Sequence, residues 1–385
     1  MTRPAFSMAH ASLAQDNLHD VLQLIRTPNV GPVTFFQLTA RYGSAAAALS
    51  ALPELARRGG RKNPLVAASR SQIEKEITLT EKFGARMVMY GQADYPALLH
   101  AIDDPPPVIS LLGNPEIYKR NIVGMVGARN ASASGCNFAR RMAQDLGNAQ
   151  ITVASGLARG IDGFAHSGAL ATGTVGVIAG GIDNIYPPEN EGLYKQIREH
   201  GAIISEQPFG TLPFAGSFPG RNRIIAGMSL ATVVVEAAPK SGSLITAKLA
   251  LEYNREVLAV PGSPMDPRAR GCNLLLKQGA MLAESAQDVL HAISHLRALK
   301  LSEMQRPYAG APPMTDNEDE LATARTLVHE KLGMTPVHVD SIIEQTGLPA
   351  PIVVTVLLEM ELAGMLQRSA GGQVAIKKNK SELIV

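Results

Sequence analysis

Between Asn121 and Val260 the sequence alternates short apolar runs with longer helix-forming stretches, and this alternation limits the fold more than any other feature. Asn121–Val126, Ile151–Ala154, Thr174–Ala179, Ala202–Ser205, Ala231–Val235 and Val257–Val260 are short runs without a polar face. A strand that is apolar at nearly every position must be covered on both sides, which is the condition of a parallel sheet with helices above and below it. Helices are expected over about Ser132–Gly147, Asp162–Ala171 and Leu244–Tyr253. The expected core is therefore α/β, a doubly wound and mostly parallel sheet. The loops at the carboxyl ends of its strands converge on one edge, where such sheets bind ligands.

At 385 residues the chain is long for one core, and the flanks have a different character. Residues 1–80 are expected to form a small all-α domain of SAM or helix-hairpin-helix type. Apolar faces come from Leu22, Ile25, Phe35, Phe36, Leu38 and Leu49, and Pro28-Asn29-Val30-Gly31-Pro32 interrupts the helices. In a helix-hairpin-helix, N–H groups at a helix start contact a DNA phosphate. The same residues also make an ordinary turn in a bundle, and that is the preferred reading.

Residues 81–299 hold the extended Rossmann-like sheet, to which Met87–Tyr90 and Val108–Leu112 add β-like runs. Residues 300–320 read as a linker. Residues 321–385 suggest a winged helix, with three helices followed by a hairpin of Met365–Arg368 and Gln373–Ile376 around Gly371-Gly372. The third helix of such a module often enters DNA, but Pro351–Glu361 contains no Arg or Lys. Packing or protein contact is the expected use.

The strand-end loops carry the candidate chemistry. Gly127-Ala128-Arg129 combines small residues with a cation. Ser155-Gly156-Leu157-Ala158-Arg159-Gly160-Ile161-Asp162 runs directly into a helix, whose free N–H groups suit an anion. Lys240-Ser241-Gly242-Ser243 precedes another helix, and Gly220-Arg221-Asn222-Arg223 adds two cations and an amide. Each loop alone is common in α/β proteins. Together they describe a phosphate-binding pocket with many donors and few acids. Asp162 and His166 lie one helical turn apart, but they read as a helix cap and a packed histidine, not as an acid–base pair.

Composition narrows the class. A net charge of +2 means that a nucleic-acid site must be a local groove, not a basic face. Neither G-x-G-x-x-G followed by an acid nor G-x-x-x-x-G-K-[ST] occurs, which disfavours a dinucleotide cofactor and an ATPase site. Cys136 and Cys272 form no CxxC, so no disulfide framework or cysteine-based zinc site is expected. The expectation is a cytoplasmic protein with no cofactor, metal or membrane partner: Met1–Ala14 does not read as a secretion signal, and no apolar run approaches the roughly 20 residues of a membrane span.

The blocks Gly127-Ala128-Arg129, Ser155–Asp162 with Ala165-His166, Arg221–Gly227 and Ser241–Ala247, together with Asp94-Tyr95-Pro96 and Tyr186-Pro187-x-x-Asn190, resemble the signature of the DprA/Smf (DNA-processing protein A) family over roughly residues 90–290. The resemblance implies a homodimer that binds single-stranded DNA in natural transformation and helps load RecA recombinase onto it, without being an enzyme. It also implies that Arg129 holds a phosphate and Phe218 contacts a base. Some members carry a Lys three residues before that aromatic. Here the position is Ala215, leaving Arg221 or Arg223 to compensate.

The residues alone leave other uses open. Phe218 could cap the sheet, and Arg223 could pair internally with Glu206 or Glu236. The rival function is a nucleotide hydrolase of lysine-decarboxylase-like type on a similar core. Its Pro-Gly-Gly-x-Gly-Thr turn and following Glu are replaced here by Ser241-Gly242-Ser243-Leu244-Ile245-Thr246-Ala247, which lacks the acid. A winged-helix regulator with a ligand-sensing Rossmann domain is disfavoured by the uncharged third helix.

Overall fold

The computed structural model describes residues 13, 16–303, 318–369 and 372–377. They form two compact units, one from the described residues up to Glu74 and from Glu318 onward, the other from Lys75 to Glu303. The expected linker falls mostly on residues 304–317, outside the described residues. No described helix is long and apolar enough to cross a membrane.

The chain opens with α1 (Leu18–Ile25), α2 (Pro32–Tyr42), α3 (Ala45–Arg58) and α4 (Arg70–Lys82). Local chemistry sets their limits. The Asn17 side chain accepts the His19 N–H at the start of α1, Ser44 accepts that of Ala47 at the start of α3, and Gly43 ends α2 at φ +81°.

The central unit continues through β1 (Arg86–Met89), β2 (Val108–Gly113), α5 (Glu116–Lys119), β3 (Ile122–Val126), α6 (Ala133–Asn148), β4 (Thr152–Ser155), α7 (Ile161–Ala169) and β5 (Thr174–Val177). Next come α8 (Glu191–His200), β6 (Ala202–Ser205), α9 (Ser217–Met228), β7 (Ala231–Val234), α10 (Gly242–Glu252), β8 (Glu256–Ala259), α11 (Arg270–Lys277), β9 (Met281–Leu282) and α12 (Ala286–Glu303). The strands form one sheet in the order β1-β2-β6-β5-β4-β3-β7-β8-β9. From β6 to β9 every pair is parallel, while β2 runs antiparallel to β6 and β1 antiparallel to β2.

Strands β3 to β7 are buried at every residue, as their unbroken apolar runs require. One large core packs α6, α7 and α12 against β3, β4 and β7 through Val123, Met142, Leu146, Val153, Ile161 and Val233. Strand β3 pairs with β4 on one side and β7 on the other, so the winding direction reverses there.

The terminal unit resumes with α13 (Glu318–Lys331), β10 (Val337–His338), α14 (Val339–Thr346), α15 (Ala350–Leu362), β11 (Leu366–Ser369) and β12 (Gln373–Ile376), a winged helix with the strand order β10-β12-β11. Of the expected hairpin turn, Gly371 lies outside the described residues. The two ends of the chain, expected as separate domains, pack into a single unit. Helix α15 is buried along most of its length, Glu359 and Glu361 included. Arg325 and Arg368 pair with these two carboxylates at 2.8 Å, and Thr34 of α2 donates to Glu361 at 2.7 Å. Asn29 donates to the Leu362 carbonyl at 3.3 Å, so the Asn29–Gly31 turn packs against the winged helix. This matches the reading of that turn as packing, and it explains why the third winged helix carries no free basic face.

Candidate nucleic-acid interface

The loops after β3, β4 and β5 surround a cavity of about 450 Å³ at the carboxyl ends of these strands, with the start of α9 as one wall. That volume is within the roughly 300–1,000 Å³ of pockets that hold small ligands or parts of larger ones.

The loop after β3 lies directly on the start of α7. A Cβ on Gly127 would sit 2.5 Å from Ile161 Cγ1, and one on Gly160, at φ +72°, would sit 2.6 Å from the Arg129 carbonyl oxygen. The small residues expected to let a ligand approach the backbone are therefore needed for these two loops to interlock. The result is a fixed platform for Arg129, whose guanidinium stands 4.9 Å from the centroid of the Phe218 ring. The Tyr186 ring lies 6.0 Å from that of Phe218, tilted by 54°. A cation held over an aromatic face keeps its charge in place at little entropic cost.

The loop after β4 departs from expectation in a second way. Its Gly156 and Ala158 N–H groups donate to the Asp162 carboxylate at 3.1 and 3.4 Å, and Asn190 donates to the Leu157 and Ala158 carbonyls at 2.8 and 3.1 Å. Asp162 is thus a clamp on the preceding loop and not a cap on its own helix, and two N–H groups expected for an anion are already used. Burial pushes the Asp162 carboxyl above the usual range, opposed by the charge of Arg221 and by these N–H groups. His166 is fully buried against Thr174 Oγ1 at 2.9 Å, and burial, with Arg221 adding to it, pushes its pKa down to about 3. Ser155 is also buried, donating to the Met125 carbonyl at 2.6 Å across β3 and β4.

Gly220-Arg221-Asn222-Arg223, expected as a loop, lies within α9, and its two arginines have different roles. Arg221 lines the floor of the cavity and donates to the carbonyls of Val177, at 2.7 Å, and Gly156. Its guanidinium occupies the space a Cβ on Gly156 would need. Burial pushes its pKa down to about 10, with Asp162 opposing, so it stays charged at neutral pH. Arg223 is not among the lining residues. It is buried against Glu206 at 2.5 Å and Asp104 at 3.5 Å, and these carboxylates more than offset the effect of burial on its pKa. Its expected place in the phosphate site is thus corrected to an internal ion pair, with Glu206 as the partner. Asn222 accepts from Arg221 at 3.1 Å and donates to the Gly242 carbonyl at 3.4 Å, behind the cavity.

Lys240, Ser241, Gly242 and Ser243 follow β7, and none lines the cavity. Ser241 caps α10 by accepting the Ser243 N–H. Of the residues expected at the site, the structure gathers Arg129, Gly156, Arg159, Phe218 and Arg221 around one space. Arg159 stands at its exposed side, paired with Glu189 at 2.9 Å. Asn130, Asn184, Tyr186 and Pro213 join them; the Tyr186-Pro187 match names Tyr186 without giving it a role. No carboxylate or histidine lines the cavity among the described residues, and no group of three or more His, Cys, Asp or Glu is placed to hold a metal.

A doubly wound sheet with a cationic, aromatic-walled pocket at its switch edge, the place where such sheets bind ligands, and a winged helix from its terminal segments define a multidomain class of α/β proteins. Comparison with known proteins gives the family. Residues 86–294 match the profile of DNA recombination-mediator protein A, residues 15–78 that of the DprA-like N-terminal HHH domain, and residues 312–372 that of the DprA winged helix domain. Protein Smf of Synechocystis is 36% identical over 305 residues, covering 72% of this chain and 77% of the relative. The X-ray structure of DNA processing protein A from Streptococcus pneumoniae matches with a TM-score of 0.63 at 32% identity, over 72% of this chain and 98% of that one. DNA processing protein A from Helicobacter pylori, described for its single-stranded DNA binding mode, matches with a TM-score of 0.51 at 25% identity, over 56% of this chain and 96% of that one. The chain belongs to the DprA/Smf family.

Proposed function

We propose that this protein binds single-stranded DNA at the cavity over β3, β4 and β5, holding a phosphate at Arg129 and stacking a base on Phe218. The observation that carries the reading is the Arg129–Phe218 pair, a fixed cation and a ring facing one space, with Tyr186 beside them. Sequence-tolerant binding of a single strand needs such a combination of positive groove and stacking ring. The binding mode described for the Helicobacter pylori relative supports the same ligand. The lack of a carboxylate or histidine among the described lining residues favours binding over the nucleotide-hydrolase alternative, which needs a general acid at the glycosidic bond.

Family membership extends the proposal to natural transformation in the cytoplasm, with the protein acting as a non-enzymatic homodimer that protects incoming DNA and helps load RecA recombinase. The test is a fluorescence-anisotropy titration of oligo-dT and a matched duplex at two salt concentrations. Preferential, salt-sensitive binding of the single strand is expected, with a logarithmic slope of about −0.7 per phosphate engaged. Duplex preference, or binding of mononucleotides alone, would overturn the reading.

A further inference from the structure

Among the described residues two Phe or Tyr side chains are exposed, Tyr186 at 45% and Phe214 at 61%, and both lie in segments that supply lining residues of this one cavity. Tyr186 lines it. Phe214 lies in sequence between two lining residues, Pro213 and Phe218, with its neighbour Leu212 71% exposed. Chance exposure would scatter rings over the surface, and an exposed phenyl ring gains nothing for the fold by remaining in water.

The position of Phe214 is held by its surroundings. Its N–H donates to Ser217 Oγ at 3.1 Å, and its carbonyl accepts the Ser217 hydroxyl at 2.8 Å and the Ser217 N–H at 2.9 Å. The ring rests against Gly216, where a Cβ would come within 2.8 Å of Phe214 Cε2. The segment leading to it is anchored to the loop after β5: the Gly181 N–H donates to the Thr211 carbonyl at 2.8 Å, and the Gly210 N–H donates to the Asp183 carboxylate at 2.8 Å. A ring held in place beside an aromatic, cationic pocket, yet left in water, matches what a nucleobase stacks on.

We infer that Phe214 is a second base-stacking position, which receives a base next along the strand from the one on Phe218. The inference rests on the single-stranded-DNA reading above and assigns the direction in which the strand leaves the cavity, over the Leu212–Ser217 turn. The occupant is a base of the same strand, because the anchoring cations, Arg129 and Arg221, line the adjoining cavity.

The native sequence contains no tryptophan, so Phe214→Trp places a single indole fluorophore at this position. Oligo-dT of increasing length, from the dinucleotide upward, is titrated against wild type, Phe214→Trp, Phe214→Ala and Phe218→Ala. Quenching of the indole emission of Phe214→Trp at saturation is expected, together with a deficit in Phe214→Ala that grows with length to about tenfold. Phe218→Ala is expected to be weaker at every length. Wild-type binding with unquenched emission, or with Phe214→Ala equal to wild type at all lengths, would overturn the inference and leave the DNA reading standing. Failure of wild type to bind any oligo-dT would overturn both.

Discussion

The turn after β4 and the turn after β7 look alike in sequence, each with Ser-Gly at a strand end, a cation nearby and a helix behind it, yet one opens on the cavity and the other does not. Backbone donors do not explain the difference. On the β4 side Asp162 takes the Gly156 and Ala158 N–H groups, and Glu236, just past β7, takes the N–H at 2.9 Å and the hydroxyl at 2.5 Å of Ser132, which ends the neighbouring loop after β3 at the start of α6. In both places the protein supplies its own anion to donors that would otherwise be open to a phosphate. What remains different is the side chains: Arg129, Arg159, Arg221, Phe218 and Tyr186 on one side, and Lys240 with a self-capping Ser241 on the other. Under the proposed function, recognition depends on guanidinium groups and rings, not on a cradle of backbone N–H groups.

The largest effect that could break this comparison is on the fold. Arg223→Ala removes the cation that Glu206 and Asp104 share in a largely buried setting and is expected to lower unfolding free energy by about 3–5 kcal/mol in urea titrations. A variant of native stability that has lost DNA binding would return Arg223 to the site. Arg129→Ala and Phe218→Ala are each expected to weaken oligo-dT binding by about 1–3 kcal/mol while Tm stays near wild type. The arginine variant should also flatten the salt dependence by roughly 0.7 in logarithmic slope, a change the phenylalanine variant should not show.

Next in size is a pH effect beneath the β4 turn. His166 is kept neutral in the folded protein down to about pH 3, whereas the unfolded chain takes up that proton near pH 6.5. Its stabilising contribution is therefore complete above pH 6.5 and is lost as pH falls toward 3. Between pH 7 and pH 5 it amounts to about 2 kcal/mol. His166→Gln should lose that much less stability over the interval than wild type, and equal acid sensitivity of the two would show that the histidine is not shielded. The smallest effect is expected on the β7 side. Lys240→Ala should change stability by less than about 0.5 kcal/mol and leave oligo-dT affinity unchanged.

Much of the fold was legible because strands buried on both faces leave continuous apolar runs, and Val123, Val153, Val175, Ile203 and Val233 lie in such runs. Helix α9 was not, since Pro219-Gly220 followed by Arg-Asn-Arg has the composition of a loop and becomes a helix only where tertiary partners satisfy its arginines. Within the site, Arg129 and Phe218 were readable from motif and residue type. The separate fates of Arg221 and Arg223 depend on carbonyls and carboxylates brought in from distant loops, which spacing along the chain does not encode. Phe214 and Tyr186 went unassigned for a related reason: a sequence names the ring but not its exposure.

The central claim, that a single strand runs over the β3–β5 side of the sheet edge, is tested most directly by photo-crosslinking. Wild-type protein is irradiated with oligo-dT carrying scattered 5-iododeoxyuridine, and the adducts are mapped by mass spectrometry. Adducts on Tyr186, Phe214 or Phe218 are the predicted result. Adducts confined to the Lys240–Ser243 turn or to the winged helix would contradict it.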